Sequence, residues 1–184
     1  MKLISANWKM NLTPSQTKEY IQRFLPLVEG IEDREILLCP PFTSLCVASE
    51  MLKDKKVRLG AQNCHFEPKG AFTGEISLDM LKELGVSYVI VGHSERRWIF
   101  GESDELINKK LTACLKAGIR PILCVGERIE EREAGLTFKV IETQIRLALL
   151  EVKALMGFVK VVACGYEHGW DCQKEGKLCG SLPV

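Results

Sequence analysis

A chain of 184 residues with 46% hydrophobic and 27% charged side chains has the composition of an ordinary globular protein and is long enough to bury a core as one domain. Its 25 basic and 24 acidic side chains leave a formal charge of +1, which argues against the strong fields that nucleic-acid or membrane-surface binding needs. No stretch approaches the ~20 apolar residues of a membrane span. The opening run, Met1 to Trp8, lacks the apolar region of about 7–15 residues of a secretory signal, so a cytoplasmic protein is expected.

Along the chain, β-rich runs at residues 3–6, 35–39, 57–61, 87–91, 119–124 and 158–163 alternate with segments of helical character and predict six βα repeats. The first helix opens at Thr13-Pro14, where Thr13 caps the first turn and Pro14 needs no donor partner; Tyr20, Ile21, Phe24, Leu25 and Val28 then share one face. Residues 104–117 repeat the design, with Leu106, Ile107, Leu111, Cys114 and Leu115 as the apolar stripe and Gly118 at the C′ position. A longer helix is expected over 137–155. Strict alternation implies a mostly parallel sheet, because parallel strands need crossovers that a helix fills.

An open doubly wound sheet and a closed barrel both satisfy this pattern. A dinucleotide-binding sheet would carry G-x-G-x-x-G after its first strand, whereas Asn7-Trp8-Lys9-Met10-Asn11 has no glycine; a nucleotide-binding module therefore keeps little support. Polar residues do gather at the C-terminal ends of the strands: Asn7 and Lys9, His93 and Glu95, Glu127, and Glu167. In a (β/α) barrel these ends converge on one face, where active sites are built. Cys39, Cys46, Cys64, Cys114 and Cys124 sit in apolar patterns where reduced cysteine packs as a small hydrophobe. With no C-x-x-C spacing and with His65, His93 and His168 scattered, no metal site is predicted.

Two runs are more specific than any pattern: Ala6-Asn7-Trp8-Lys9-Met10-Asn11 after the first strand, and Val91-Gly92-His93-Ser94-Glu95-Arg96-Arg97 after the fourth. Together with Gly60-Ala61-Gln62-Asn63, Gly70-Ala71-Phe72-Thr73-Gly74-Glu75 and Cys124-Val125-Gly126-Glu127 they resemble the triosephosphate isomerases, over residues 1 to about 157. The resemblance implies an α/β fold of the (β/α)8 TIM-barrel type, incomplete, with about six of eight units present. It implies a cofactor-independent isomerase that interconverts dihydroxyacetone phosphate and D-glyceraldehyde 3-phosphate through an enediolate, in glycolysis and gluconeogenesis.

In that reading Lys9 is an electrostatic anchor, since an ammonium attracts a phosphate dianion and steadies charge developing on substrate oxygen, and Asn7 offers an amide for positioning. The resemblance makes His93 a neutral imidazole that donates to the substrate oxygen, near a helix N-terminus. It makes Glu95 a second polar member that orients Lys9 or helps to shuttle protons. Glu167, after Tyr166, becomes the base that moves the proton between adjacent carbons, a reversible task that suits a carboxylate. For the polar loop 62–76, with Gln62, Thr73 and Glu75, the resemblance implies a homodimer formed around Thr73.

After Phe158 the family pattern dissolves. Lys160 is read as interrupting the sixth strand, Cys164-Gly165 precede Tyr166, and His168-Gly169 stand where the hinge of a catalytic lid is expected. The expected division is a barrel portion over 1–157 and a divergent tail over 158–184 in place of the lid and the last two units. A change of reading frame near 158–164 would account for it, in which case other frames of the gene encode the seventh and eighth strands. The alternative to the isomerase is a catalytically inactive truncated fragment that at most associates with full-length subunits through the loop around Thr73.

Overall fold

The computed structural model describes residues 2–152 and 159–163. By contact density the chain divides into two compact units, 1–89 and 90–184.

In the first unit, strands β1 (Lys2–Asn7), β2 (Arg34–Cys39) and β3 (Arg58–Ala61) and the start of β4 (Tyr88–Val91) are laid side by side in chain order, every neighbour parallel. The register sets Asn7 opposite Cys39, so the first two strands end level. Helix α1 (Pro14–Val28) starts as its sequence predicts: the Gln16 N–H donates to Thr13 Oγ1, and Gln16 Oε1 accepts from the Thr13 N–H at 2.9 Å. Its inward face is centred on Thr17 and Ile21, both fully buried, while Phe24, Leu25 and Val28 are half-buried and Tyr20 is exposed. Helices α2 (Leu45–Leu52) and α3 (Leu78–Glu83) bury Leu45, Ala48 and Leu52, and Leu78 and Leu81. Cys46 lies on the outward face of α2 and is exposed, so the expectation that it packs inside fails. Position in an apolar run did not decide its direction; the helical phase set by Leu45 and Ala48 did. Cys39, Cys64, Cys114 and Cys124 are buried and free. Burial pushes the Cys39 thiol up to about 12, outweighing the contact with the Ser5 hydroxyl, so this sulfur is unreactive.

In the second unit, β5 (Arg120–Val125) and β6 (Lys160–Ala163) pair in parallel, Ile122 opposite Lys160 and Val125 opposite Ala163. Lys160 therefore begins the sixth strand instead of interrupting it: its side chain is exposed, and a lysine there costs nothing. Helix α4 (Ser94–Trp98) follows β4, α5 (Asp104–Lys116) precedes β5, and α6 (Ile129–Glu133) and α7 (Thr137–Ala148) follow it. The α5 stripe is buried at Ile107, Leu111 and Cys114, and Gly118 takes φ +76° after the helix end. Helix α7 stops at Ala148, short of the expected 155. The Asn108 side chain of α5 donates to the Ala148 and Leu150 carbonyls at 2.9 and 3.1 Å, taking acceptors that continued helix would need, and Glu151 turns to φ +64°. Phe158, the tail beyond Ala163, and residues 153–155 lie outside the described residues.

Candidate functional site

In the first unit the chain leaves β1 through a loop that turns Lys9 into the left-handed region, φ +52°. For a lysine this conformation costs roughly 1–2 kcal/mol, and four hydrogen bonds hold it. The Asn7 side chain accepts from the Lys9 N–H at 3.0 Å; Trp8 donates its N–H to the Cys39 carbonyl at 3.1 Å; and the Gln62 amide donates to the Lys9 and Cys39 carbonyls at 2.9 and 2.8 Å. Trp8 packs edge-on against Tyr20, which stacks on Phe24 of α1. Sequence reading had Asn7 as a donor; the structure uses its oxygen to shape the backbone beside it. Gln62 entered as one residue of a long loop, yet it ties the ends of β1 and β2 together.

If Gln62 stabilises the strained turn, Gln62→Leu should cost about 1–3 kcal/mol through the two lost hydrogen bonds. The penalty should grow in a Lys9→Gly background, where φ +52° carries no strain and the turn therefore has none to release when the clamp is lost. Urea unfolding of the four proteins measures this, and an equal penalty in both backgrounds would refute the clamp.

The loop after Gln62 is ordered without helix or strand. The His65 N–H meets the Ile76 carbonyl at 2.8 Å and closes its base, and the His65 ring packs on Phe66 and Phe72, its Nδ1 3.6 Å from Glu75. Asn63 and Cys64 are buried, while Phe72, Thr73 and Gly74 at the tip are exposed.

In the second unit His93 is the N-cap of α4. Its Nδ1 accepts the Glu95 N–H at 3.2 Å, with a Glu95 carboxylate oxygen 3.4 Å from the same nitrogen. The amide hydrogen is fixed by the backbone and is the closer partner, so in a neutral ring Nδ1 is the acceptor and the proton belongs on Nε2. Before it, Gly92 has φ +69°, and a Cβ there would come within 3.0 Å of the Arg97 guanidinium and 3.1 Å of the Cys124 carbonyl. Only glycine fits both constraints.

Behind α4 lies an ion cluster that sequence reading missed. Glu102 Oε1 accepts from Lys110 Nζ at 2.6 Å and from Arg96 Nε; the Lys110 and Glu102 side chains are 3% and 4% exposed. Burial pushes the Glu102 carboxyl up, but the hydrogen bonds from Lys110 and Arg96 prevail and hold it below the usual range. After β5, Glu127 is also buried; there burial is outweighed by its own backbone N–H, Arg132 at 2.8 Å and the Thr137 hydroxyl, so its carboxyl too is held low. Gln144 of α7 brackets the preceding Gly126, accepting from its N–H and donating to its carbonyl at 2.9 and 3.0 Å. Glu167, the candidate base, lies outside the described residues. Among those described, no helix is long and apolar enough to cross a membrane.

Asn7 and Lys9 thus follow the C-terminal end of β1 in one unit, and His93 and Glu95 follow that of β4 in the other. The triosephosphate isomerase family model matches residues 2–170, a span that runs past Gly157 and includes Tyr166 and Glu167. The triosephosphate isomerase of Aquifex aeolicus (strain VF5) is 70% identical over 169 residues, 92% of this chain and 67% of the relative. That of Dictyoglomus thermophilum is 50% identical over 187 aligned residues, 98% of this chain and 75% of the relative. That of Synechocystis sp. (strain PCC 6803) is 50% identical over 151 residues, 82% and 62%. The chain therefore spans about two thirds to three quarters of the length of the first two relatives. With its parallel βα repeats and both strand-end motifs in place, the chain belongs to the triosephosphate isomerase family, and its fold is that of an incomplete (β/α) barrel.

Proposed function

We propose that the chain carries the isomerase site of its family and interconverts dihydroxyacetone phosphate and D-glyceraldehyde 3-phosphate through an enediolate, as a cytoplasmic enzyme of glycolysis and gluconeogenesis. The observation that carries this reading is the His93 imidazole: its Nδ1 accepts the Glu95 N–H, so a neutral ring carries its proton on Nε2, the nitrogen that can donate to an oxygen gaining charge. Lys9 supplies positive charge for the phosphate and the developing oxyanion, on a backbone held by Asn7 and Gln62. Asn7 belongs to the substrate-binding group, and Glu95 is the second polar member beside His93. Glu167 takes the proton from one carbon and returns it to the next; the family match through residue 170 supports the assignment. No step asks for a metal or cofactor. The division into a barrel portion, 1–157, and a divergent tail, 158–184, rests on the composition after Phe158.

We also propose a homodimer formed through the loop around Thr73. Support comes from the loop itself, shaped in advance by its closed base and aromatic interior and presenting Phe72 at 42% exposure. A loop already ordered loses little entropy on docking.

The test is the isomerase rate of the purified 184-residue protein beside His93→Gln, with sedimentation of the same samples. Turnover that falls about 10²–10³-fold in the variant is expected. Turnover indifferent to the substitution would belong to a contaminating enzyme, and folded protein without turnover would establish the inactive-fragment alternative.

A further inference from the structure

Arg97 is a buried cation that the proposed chemistry does not use. Its side chain is 4% exposed, and all three of its nitrogens are engaged. Nε donates to the Gly92 carbonyl at 2.8 Å, Nη1 to Asp104 Oδ1 at 2.6 Å, and Nη2 to the Cys124 carbonyl at 3.3 Å.

The Gly92 carbonyl belongs to the peptide that leads into His93. Rotation of that peptide plane changes the φ of His93 and swings its ring. The carbonyl on the other side, that of His93 itself, accepts the Arg96 and Arg97 N–H groups at 2.9 and 3.0 Å. Arg97 therefore holds both peptides that flank the histidine, one by its side chain and the other by its backbone. The Asp104 contact reaches the first turn of α5, and the Cys124 contact reaches β5, so the guanidinium is itself fixed on two further elements. Gly92 completes the arrangement, because a Cβ there would meet the guanidinium and the Cys124 carbonyl together.

We propose that Arg97 is the positioning residue for His93, setting the Gly92–His93 peptide plane so that Nδ1 meets the Glu95 N–H and Nε2–H keeps one direction. Lysine cannot substitute, since one ammonium does not make three coplanar contacts. The catalytic part of this inference rests on the isomerase reading; the conformational part does not.

The experiment compares parent, Arg97→Lys and Asp104→Asn by nitrogen-15 NMR of the imidazoles, with His93 assigned from His93→Gln, and by steady-state kinetics. In folded Arg97→Lys, the His93 spectrum should change from the single Nε2–H tautomer to a mixture, with kcat reduced by up to about 10²-fold and KM little changed. A His93 spectrum identical to that of the parent would overturn the proposal. A changed spectrum in a chain whose parent shows no turnover would sustain the positioning of His93 while removing the isomerase reading. Should Arg97→Lys fail to fold, Asp104→Asn decides: it keeps the guanidinium and removes the charge at Nη1. A smaller shift in the same direction supports the proposal, and none overturns it.

Discussion

Lys110→Met is expected to destabilise the folded protein by about 3–5 kcal/mol, because it removes one partner of a buried ion pair and leaves the other charge in place. Methionine nearly matches the lysine stem in volume, so the loss is electrostatic more than steric. Glu102 would keep Arg96, but Arg96 is 28% exposed and therefore better screened than Lys110 at 3%. A second oxygen of Glu102, Oε2, is buried without a hydrogen-bond partner among the described residues, so the carboxylate has little else to replace the lost ammonium.

The pH dependence gives this prediction a sign. In the parent the Glu102 carboxyl is held below its ordinary value of 4.5, so its contribution to stability is present above that pH and is lost as pH falls through the lower folded value. In Lys110→Met the carboxyl titrates higher than in the parent, since burial is less well opposed. The stability difference between the two proteins should consequently widen as pH rises from about 4 to 7 and narrow in acid. Guanidinium unfolding across that range measures it; a difference that does not vary with pH would mean that packing, not charge, is what Lys110 contributes.

Glu167→Gln is expected to lower kcat by about 10²–10⁴-fold, the usual range for loss of a positioned general base. Glutamine preserves shape and hydrogen-bonding reach but cannot accept and return a proton. KM should move far less than kcat, because the lost interaction belongs to the transition state. Exchange of the substrate's α-hydrogen with solvent deuterium should fall in parallel, since in the proposed reaction abstraction and return use the same carboxylate. Exchange that persists while isomerisation is lost would assign abstraction to another group and end this role for Glu167.

Much of the architecture was legible in the chain because its signals are local. Six strand segments appeared within a few residues of their expected places, since β-branched and apolar runs between helices have few other ways to bury themselves. Thr13-Pro14 opened α1 through a hydrogen bond that reaches three residues, and Gly118 closed α5 at a backbone angle that favours glycine. The motifs around Lys9 and His93 were legible as well, being contiguous runs of the chain. A weaker signal went unread: Lys110 falls on the same helical face as Ile107, Leu111 and Cys114, where a lysine must be buried and therefore paired.

Contacts between residues far apart in the chain decided the rest. Helix α7 ends at Ala148 because Asn108, forty positions earlier, takes its carbonyl. Lys9 adopts a strained conformation because Gln62, more than fifty positions later, clamps the turn. The proton of His93 is placed by a neighbouring amide, whereas the peptide before it is held by Arg97 together with Asp104 and Cys124. By itself the sequence determined the family and the parallel βα order, since these follow from contiguous motifs and periodicity. Only the tertiary structure decided the backbone strain at Lys9, the ring direction at His93 and the pairing of Lys110, because each depends on partners that folding alone brings within hydrogen-bonding distance.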